Sequence, residues 1–233
     1  MYKYDLGIIG GMGSEATVEI YKRIVERTYH TCDQEHMRIC ILNNSIIPDR
    51  TKCILNNGES PLPYLNESIK DLENINAKYF IIACNTAHYF AGSFVIEKIN
   101  FISIVEETLL FIKEHYKNNK VCILSTKGTL NSKVYHNNIH ATEIEFVYCD
   151  EDEQNVIMNV INDTKADKDQ IVLKNNLINV VESITQREGD CLFVLACTEL
   201  SLYLKDIKNI ANVIDAMDCL VNSTIIKCGY KTK

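Results

Sequence analysis

No apolar run in this chain approaches the length of about 18 residues that a membrane span requires, so a position outside the bilayer is expected. No apolar signal region precedes the first strand-like run at Leu6, and a cytoplasmic protein is the corresponding expectation. Positive charge is scarce: 24 Lys and Arg face 31 Asp and Glu, for a formal net charge of −7, which leaves no basic footprint for nucleic acid. The ten cysteines include no Cys-x-x-Cys pair, which argues against both a zinc site and a disulfide framework. The first glycine turn, Gly7-x-x-Gly10-Gly11-x-Gly13, is not Gly-x-Gly-x-x-Gly and precedes no Gly-Lys-Ser/Thr. It supports nucleotide binding weakly and reads as a tight strand-to-helix turn, or as one whose N–H groups also touch a small substrate.

What the sequence does contain is alternation. Apolar runs of strand length recur at Leu6–Ile9, Ile39–Leu42, Tyr79–Ile82, Val121–Leu124, Ile144–Val147 and Cys191–Leu195, with helix-period stretches between them. Leu173, Leu177, Val180, Val181 and Ile184 share one helical face, with Asp167 and Gln170 as the expected capping pair. This pattern predicts an α/β protein with parallel sheets covered by helices, and 233 residues suffice to hide roughly 70–75% of the unfolded surface. The runs at Leu6–Ser14 and Val121–Thr129 both read strand, small-residue turn, helix, and lie 115 positions apart; Cys84 and Cys197 lie 113 apart. Near-equal offsets predict a duplication: two similar α/β domains related by pseudo-symmetry, with a ligand in the cleft between them. Without a Pro/Gly/Ser linker the boundary is placed near 101–107. The first domain is then 1–104, completed by 212–233, and the second is 105–211.

Cys84 ends Phe80-Ile-Ile-Ala-Cys and Cys197 ends Phe193-Val-Leu-Ala-Cys, each followed by small polar residues and a helix-like stretch. Cys40, Cys122 and Cys191 fall within apolar runs and are expected to be small core residues. A thiol at a helix N-terminus is expected to have a lowered pKa, and the repeated setting of Cys84 and Cys197 suggests an acid/base pair. Arg50, in Pro48-Asp-Arg-Thr51, is placed on a loop at the same strand-end face, as a carboxylate clamp or an ordinary surface arginine. His88 reads more readily as a locally satisfied helix residue than as a base. Glu199 either orients a ligand ammonium and tunes Cys197 or simply occupies a first helical turn.

Together, Gly10-Gly-Met-Gly13, Pro48-Asp-Arg-Thr51, Ala83-Cys-Asn-Thr-Ala-His88 and Ala196-Cys-Thr-Glu199 resemble the aspartate racemase branch of the aspartate/glutamate racemase superfamily over nearly the whole chain. The resemblance implies two pseudo-symmetric α/β domains, often in a homodimer, and cofactor-independent racemisation of an amino-acid substrate with no metal. It makes Cys84 and Cys197 the catalytic thiols. Asn85, Thr86 and Thr198 are implied to hold the α-carboxylate and amino group, and Arg50 and Lys165 the distal carboxylate. Met12, Thr126 and Glu199 complete the expected substrate-binding set. Glutamate racemases typically carry Asp-Ser-Gly-x-Gly-Gly and Cys-Thr-His where this chain has Gly-Gly-Met-Gly and Cys-Thr-Glu, which points to aspartate. Glutamate or broader specificity, a hydantoin racemase or arylmalonate decarboxylase chemistry, and a non-catalytic binding protein are the alternatives.

Overall fold

A computed structural model describes residues 2–117 and 120–233. The first half contains β1 (Tyr4–Gly10), α1 (Ser14–Arg27), β2 (Ile39–Asn43), α2 (Arg50–Asn56), α3 (Leu62–Asn74), β3 (Ala77–Ile82), the two-residue β4 (Asn100–Phe101) and α4 (Ile104–His115). The second contains β5 (Lys120–Leu124), α5 (Lys127–Asn131), β6 (Glu145–Val147), α6 (Glu151–Lys165), α7 (Gln170–Glu188), β7 (Cys191–Leu195), α8 (Leu204–Lys208), β8 (Val213–Asp215) and α9 (Ala216–Lys227). Each half forms a four-stranded parallel sheet, in the orders β2-β1-β3-β4 and β6-β5-β7-β8. The two sheets thus share one topology, second-first-third-fourth, as a duplicated unit requires.

The central strands are apolar on both faces because helices cover both. Residues 6–10 of β1 and every residue of β7 are buried. A core cluster joins the two halves: Leu6, Ile8 and Ile81 of the first sheet and Val121, Ile123 and Val194 of the second meet Ile104, Leu109, Met217 and Leu220 on α4 and α9. Separate apolar layers back each sheet, around Leu65, Ile69 and Phe80 in one half and Ile157, Leu177 and Phe193 in the other. The closing segment packs α9 on α1 and α4, and the Tyr230 hydroxyl donates to the Asp5 carboxylate at 2.9 Å. Buried Arg23 on α1 ties this seam, with Nη1 2.5 Å from Asp215 and 2.6 Å from Asp218. Breaking a buried pair of this kind typically costs about 3–5 kcal/mol.

Helix ends follow local chemistry. At the start of α6 the Asp150 carboxylate accepts the Glu153 N–H at 2.8 Å and the Glu153 carboxylate accepts the Asp150 N–H at 2.9 Å, a reciprocal cap. The cap of α7 is Asp169, which accepts from the N–H groups of Ile171 and Val172, and not the expected pair Asp167 and Gln170. Asp169 directly precedes the first helical residue, whereas Asp167 has φ of 52° and belongs to the turn before it. Leu173, Leu177, Val180, Val181 and Ile184 form the buried face of α7 as their spacing indicated. Cys122 and Cys191 are buried and Cys40 is half-buried, and all ten cysteines are unpaired. Among the described residues no helix is long and apolar enough to cross a membrane.

Candidate active site

Both conspicuous cysteines lie two residues beyond the end of a central strand. The ladder continues one residue past each strand in the same way: the Ala83 N–H donates to the Ile9 carbonyl at 3.0 Å, and the Ala196 N–H to the Leu124 carbonyl at 2.9 Å. Cys84 and Cys197 therefore leave their sheets at equivalent points, and each is 8% exposed. One cavity of about 40 Å³ receives both, together with Met12, Arg50, Asn85, Thr86, Thr126, Lys165, Thr198 and Glu199. All ten residues singled out in the sequence thus line one space, reached from the carboxyl ends of strands in both sheets, joined there by Asp49, Thr51 and Ala196.

The first thiol is braced by a neutral histidine. His88 Nε2 accepts the Ile104 N–H at 3.2 Å, so the ring proton lies on Nδ1, which donates to the Cys84 carbonyl at 2.9 Å. Burial lowers the His88 pKa to about 4, which keeps the ring uncharged. Next in the chain, the Asn85 side-chain oxygen Oδ1 accepts the Tyr135 hydroxyl at 2.6 Å, which fixes the side-chain amide orientation. The Thr86 hydroxyl lies 3.0 Å from that of Thr126 and 2.9 Å from that of Thr129, which are 3.2 Å from each other. This triangle joins the end of the first sheet to the start of α5 in the second half. Gly128 permits the approach: a Cβ there would stand 2.6 Å from Thr51 Oγ1 and 3.0 Å from Thr86 Cγ2.

The second thiol has a carboxylate partner. Cys197 Sγ donates to Glu199 Oε2 at 2.9 Å, the same oxygen accepts the Thr198 hydroxyl at 3.1 Å, and Lys165 Nζ lies 3.6 Å from Glu199 Oε1. Burial, then the charge and hydrogen bond of Glu199, push the Cys197 thiol well above its ordinary pKa. The expected lowering by a helix N-terminus is not found at this residue. A four-residue 3₁₀ turn, Leu200–Tyr203, separates Cys197 from α8, and a 3₁₀ segment, Thr86–Ser93, follows Cys84, so neither thiol lies directly at the N-terminus of an α-helix. For Lys165, burial works against the charge, but Glu199 and the thiols outweigh it and raise the pKa.

Arg50 is the first residue of α2, capped by Asp49, rather than part of a loop. Its guanidinium donates to the carbonyls of Ile47 at 3.3 Å, Pro48 at 3.0 Å and Met12 at 3.0 Å, while Nε is buried without a partner. The guanidinium thus lines the cavity while held by three backbone carbonyls. Among the described residues no set of three or more His, Cys, Asp or Glu is arranged to hold a metal ion. Tyr135, Thr129 and Gly128 are the supporting residues the sequence did not disclose, because their importance arises from contacts across the two halves.

A family model described as Asp/Glu/Hydantoin racemase matches residues 9–224. The solved structure of an aspartate racemase from Picrophilus torridus superposes with a TM-score of 0.86 at 32% identity, over 98% of this chain and 95% of that one. The broad specificity amino-acid racemase RacX of Bacillus subtilis is 25% identical over 229 residues, covering 94% of this chain and 96% of that protein. A glutamate racemase from Fusobacterium nucleatum is 30% identical over 177 residues, or 72% of this chain and 63% of the relative.

Proposed function

The chain belongs to the Asp/Glu/Hydantoin racemase family, and from that premise we propose that it interconverts L- and D-aspartate without a cofactor, with Cys84 and Cys197 as the two acid/base groups. The observation that carries the reading is the pair of thiols at equivalent strand ends on one small cavity. Inversion at an α-carbon needs a base on one face and an acid on the other, and two thiols sharing one working proton supply both. One thiolate takes the α-proton while the C–H electron pair stays on carbon. The opposite thiol then gives its proton to the other face.

Asn85, Thr86 and Thr198 present polar atoms for the α-carboxylate and ammonium, and Thr126 and Met12 close the lining. Arg50, a planar cation on the lining, suits a second carboxylate, and Lys165 adds charge. Substrate carboxylates disfavour a thiolate, so this positive charge would assist proton abstraction as well as binding. Likeness to the aspartate racemase of Picrophilus torridus, at 32% identity, supports aspartate. Likeness to glutamate and broad-specificity racemases supports wider specificity as the second reading. In the same proposal the lobes divide near residue 104, the closing segment counts with the first lobe from Ala216, since β8 is bonded into the second sheet, and the protein is a cytoplasmic homodimer.

The test is a chiral assay on L-aspartate beside L-glutamate in deuterated water. Deuterium entering the α-carbon of aspartate with loss of optical activity is expected. A protein that binds aspartate without exchange is a binding relative, and one inert to both acids points to hydantoin racemase or decarboxylase chemistry.

A further inference from the structure

Glu199 is a nearly buried carboxylate, its side chain 11% exposed, with both oxygens committed inside the protein: one to the Cys197 thiol and the Thr198 hydroxyl, the other to Lys165. Behind it, α1 brings Glu15 and Glu19 to a second cavity that also reaches Thr198 and Glu199. Glu19 is held by Arg23 at 2.8 Å. The charged and titratable groups around Cys197 include Glu199, Lys165, Arg50, Cys84 and the buried Tyr135 hydroxyl, with Asp49 on the same lining and the two α1 carboxylates beyond Glu199.

We propose that Glu199 holds the proton on Cys197 in the free enzyme and that Lys165 limits this hold, so that the two thiols enter the reaction in unlike states. The inference rests on the two-thiol reading above and makes Glu199 and Lys165 positioning residues that act through Cys197. The contact has a direction. A carboxylate can accept an S–H bond only while the thiol keeps its proton; ionising the sulfur sets two negative groups 2.9 Å apart. Moving the proton onto Glu199 instead is opposed by the gap of about 4 pH units between an ordinary thiol and an ordinary carboxylate. Cys197 accordingly begins as the acid.

In the first turnover the Cys84 thiolate would form an S–H bond with the substrate's α-proton as the Cα–H bond breaks, its electron pair remaining on carbon. The Cys197 S–H bond then breaks as its proton forms the new Cα–H bond. The product form, with a Cys197 thiolate beside Glu199, is the less stable of the two, and exchange of protons with water resets it. Lys165 offsets the carboxylate and keeps that form accessible.

The test is the pH dependence of alkylation of each thiol by iodoacetamide, resolved by mass spectrometry on the full chain without substrate. In Glu199→Gln, which keeps an acceptor and loses the charge, the Cys197 midpoint should fall by about 1–3 pH units. In Lys165→Met, at a half-exposed position, it should rise by about one unit. A Cys197 midpoint that stays in place or rises in Glu199→Gln overturns the proposal; should that variant fail to fold, a midpoint unmoved or lowered in Lys165→Met does so. The titration needs no turnover. Predicted shifts in a protein that racemises nothing would sustain the hold of Glu199 and remove the two-thiol reading, whereas racemisation with unmoved midpoints would do the reverse.

Discussion

His88 Nδ1 lies 2.9 Å from the carbonyl oxygen of Cys84, and the opposite ring nitrogen receives the first N–H of α4. One buried neutral ring thus joins the turn that carries the first thiol to the helix that packs the two halves together. An unfolded histidine takes up a proton near pH 6.5, whereas this one does so only near pH 4. Between those values the unfolded chain binds more protons, so stability falls as pH falls, by about 1.4 kcal/mol per unit, and the contribution is whole above pH 6.5. From pH 7 to pH 5 the wild type should lose about 2 kcal/mol more than His88→Gln in urea unfolding. Equal pH dependence in the two proteins would remove His88 as the source.

The strands and the site-bearing turns were readable because each is local. An apolar run ending in small polar residues marks a buried strand end, and the sequence places Cys84, Asn85, Thr86, Cys197 and Thr198 there without reference to anything distant. β4 and β8 escaped notice because two or three residues, Asn100–Phe101 and Val213–Asp215, carry no period. The pairing of Cys197 with Glu199 lies in local sequence, but its electrostatic sign does not. It depends on burial and on Lys165 arriving from the end of α6, and it opposes the helix-terminus effect expected for the residue type. Tyr135 and Gly128 act only through partners 50 and 42 or more positions away, Asn85 and Thr86, which no window of sequence contains.

Replacing either Cys84 or Cys197 with Ser should nearly abolish racemisation in both directions while leaving the unfolding midpoint close to wild type. The oxygen is isosteric enough for these buried sites, but a serine hydroxyl is far too weak an acid to share the working proton. Chiral chromatography from either enantiomer checks this. Retention of more than about a tenth of the activity, a loss of only ~1.4 kcal/mol, would sink the two-thiol assignment.

Gly128→Ala tests the close approach between the halves. Its Cβ would meet Thr51 Oγ1 at 2.6 Å and stand 3.0 Å from both the Thr51 Cα and Thr86 Cγ2. The hydroxyl can turn away, but the Cα of α2 cannot, so a loss of about 1–3 kcal/mol is expected, in the range of overpacked cores. Because Thr51 and Thr86 line the cavity, kcat/KM should fall as well. Gly92→Ala is the control: nothing lies within 4 Å of its Cβ position, and its stability should stay within about 0.5 kcal/mol of wild type. Similar losses in both variants would show that the gap at Gly128 is no constraint.

Arg50 has two tasks that a substitution series can separate. Its guanidinium straps the start of α2 to the carbonyl of Met12 on the glycine turn, and the same residue lines the cavity as a charged donor. Loss of the strap should disturb the cavity for every substrate, whereas loss of the donor should matter only for an acid with a second carboxylate. Lysine keeps the charge and forfeits the planar fork, so Arg50→Lys should lower kcat/KM for aspartate by about 10–100-fold, or about 1.4–2.7 kcal/mol, with Arg50→Ala lower still. A neutral amino acid such as alanine, a very poor substrate of the wild type, provides the reference. A fall confined to aspartate assigns Arg50 to the distal carboxylate; an equal proportional fall for both substrates assigns it to the strap alone. Wild-type turnover of alanine as fast as aspartate, or unchanged aspartate kinetics in Arg50→Ala, would leave the dicarboxylate reading without its main support.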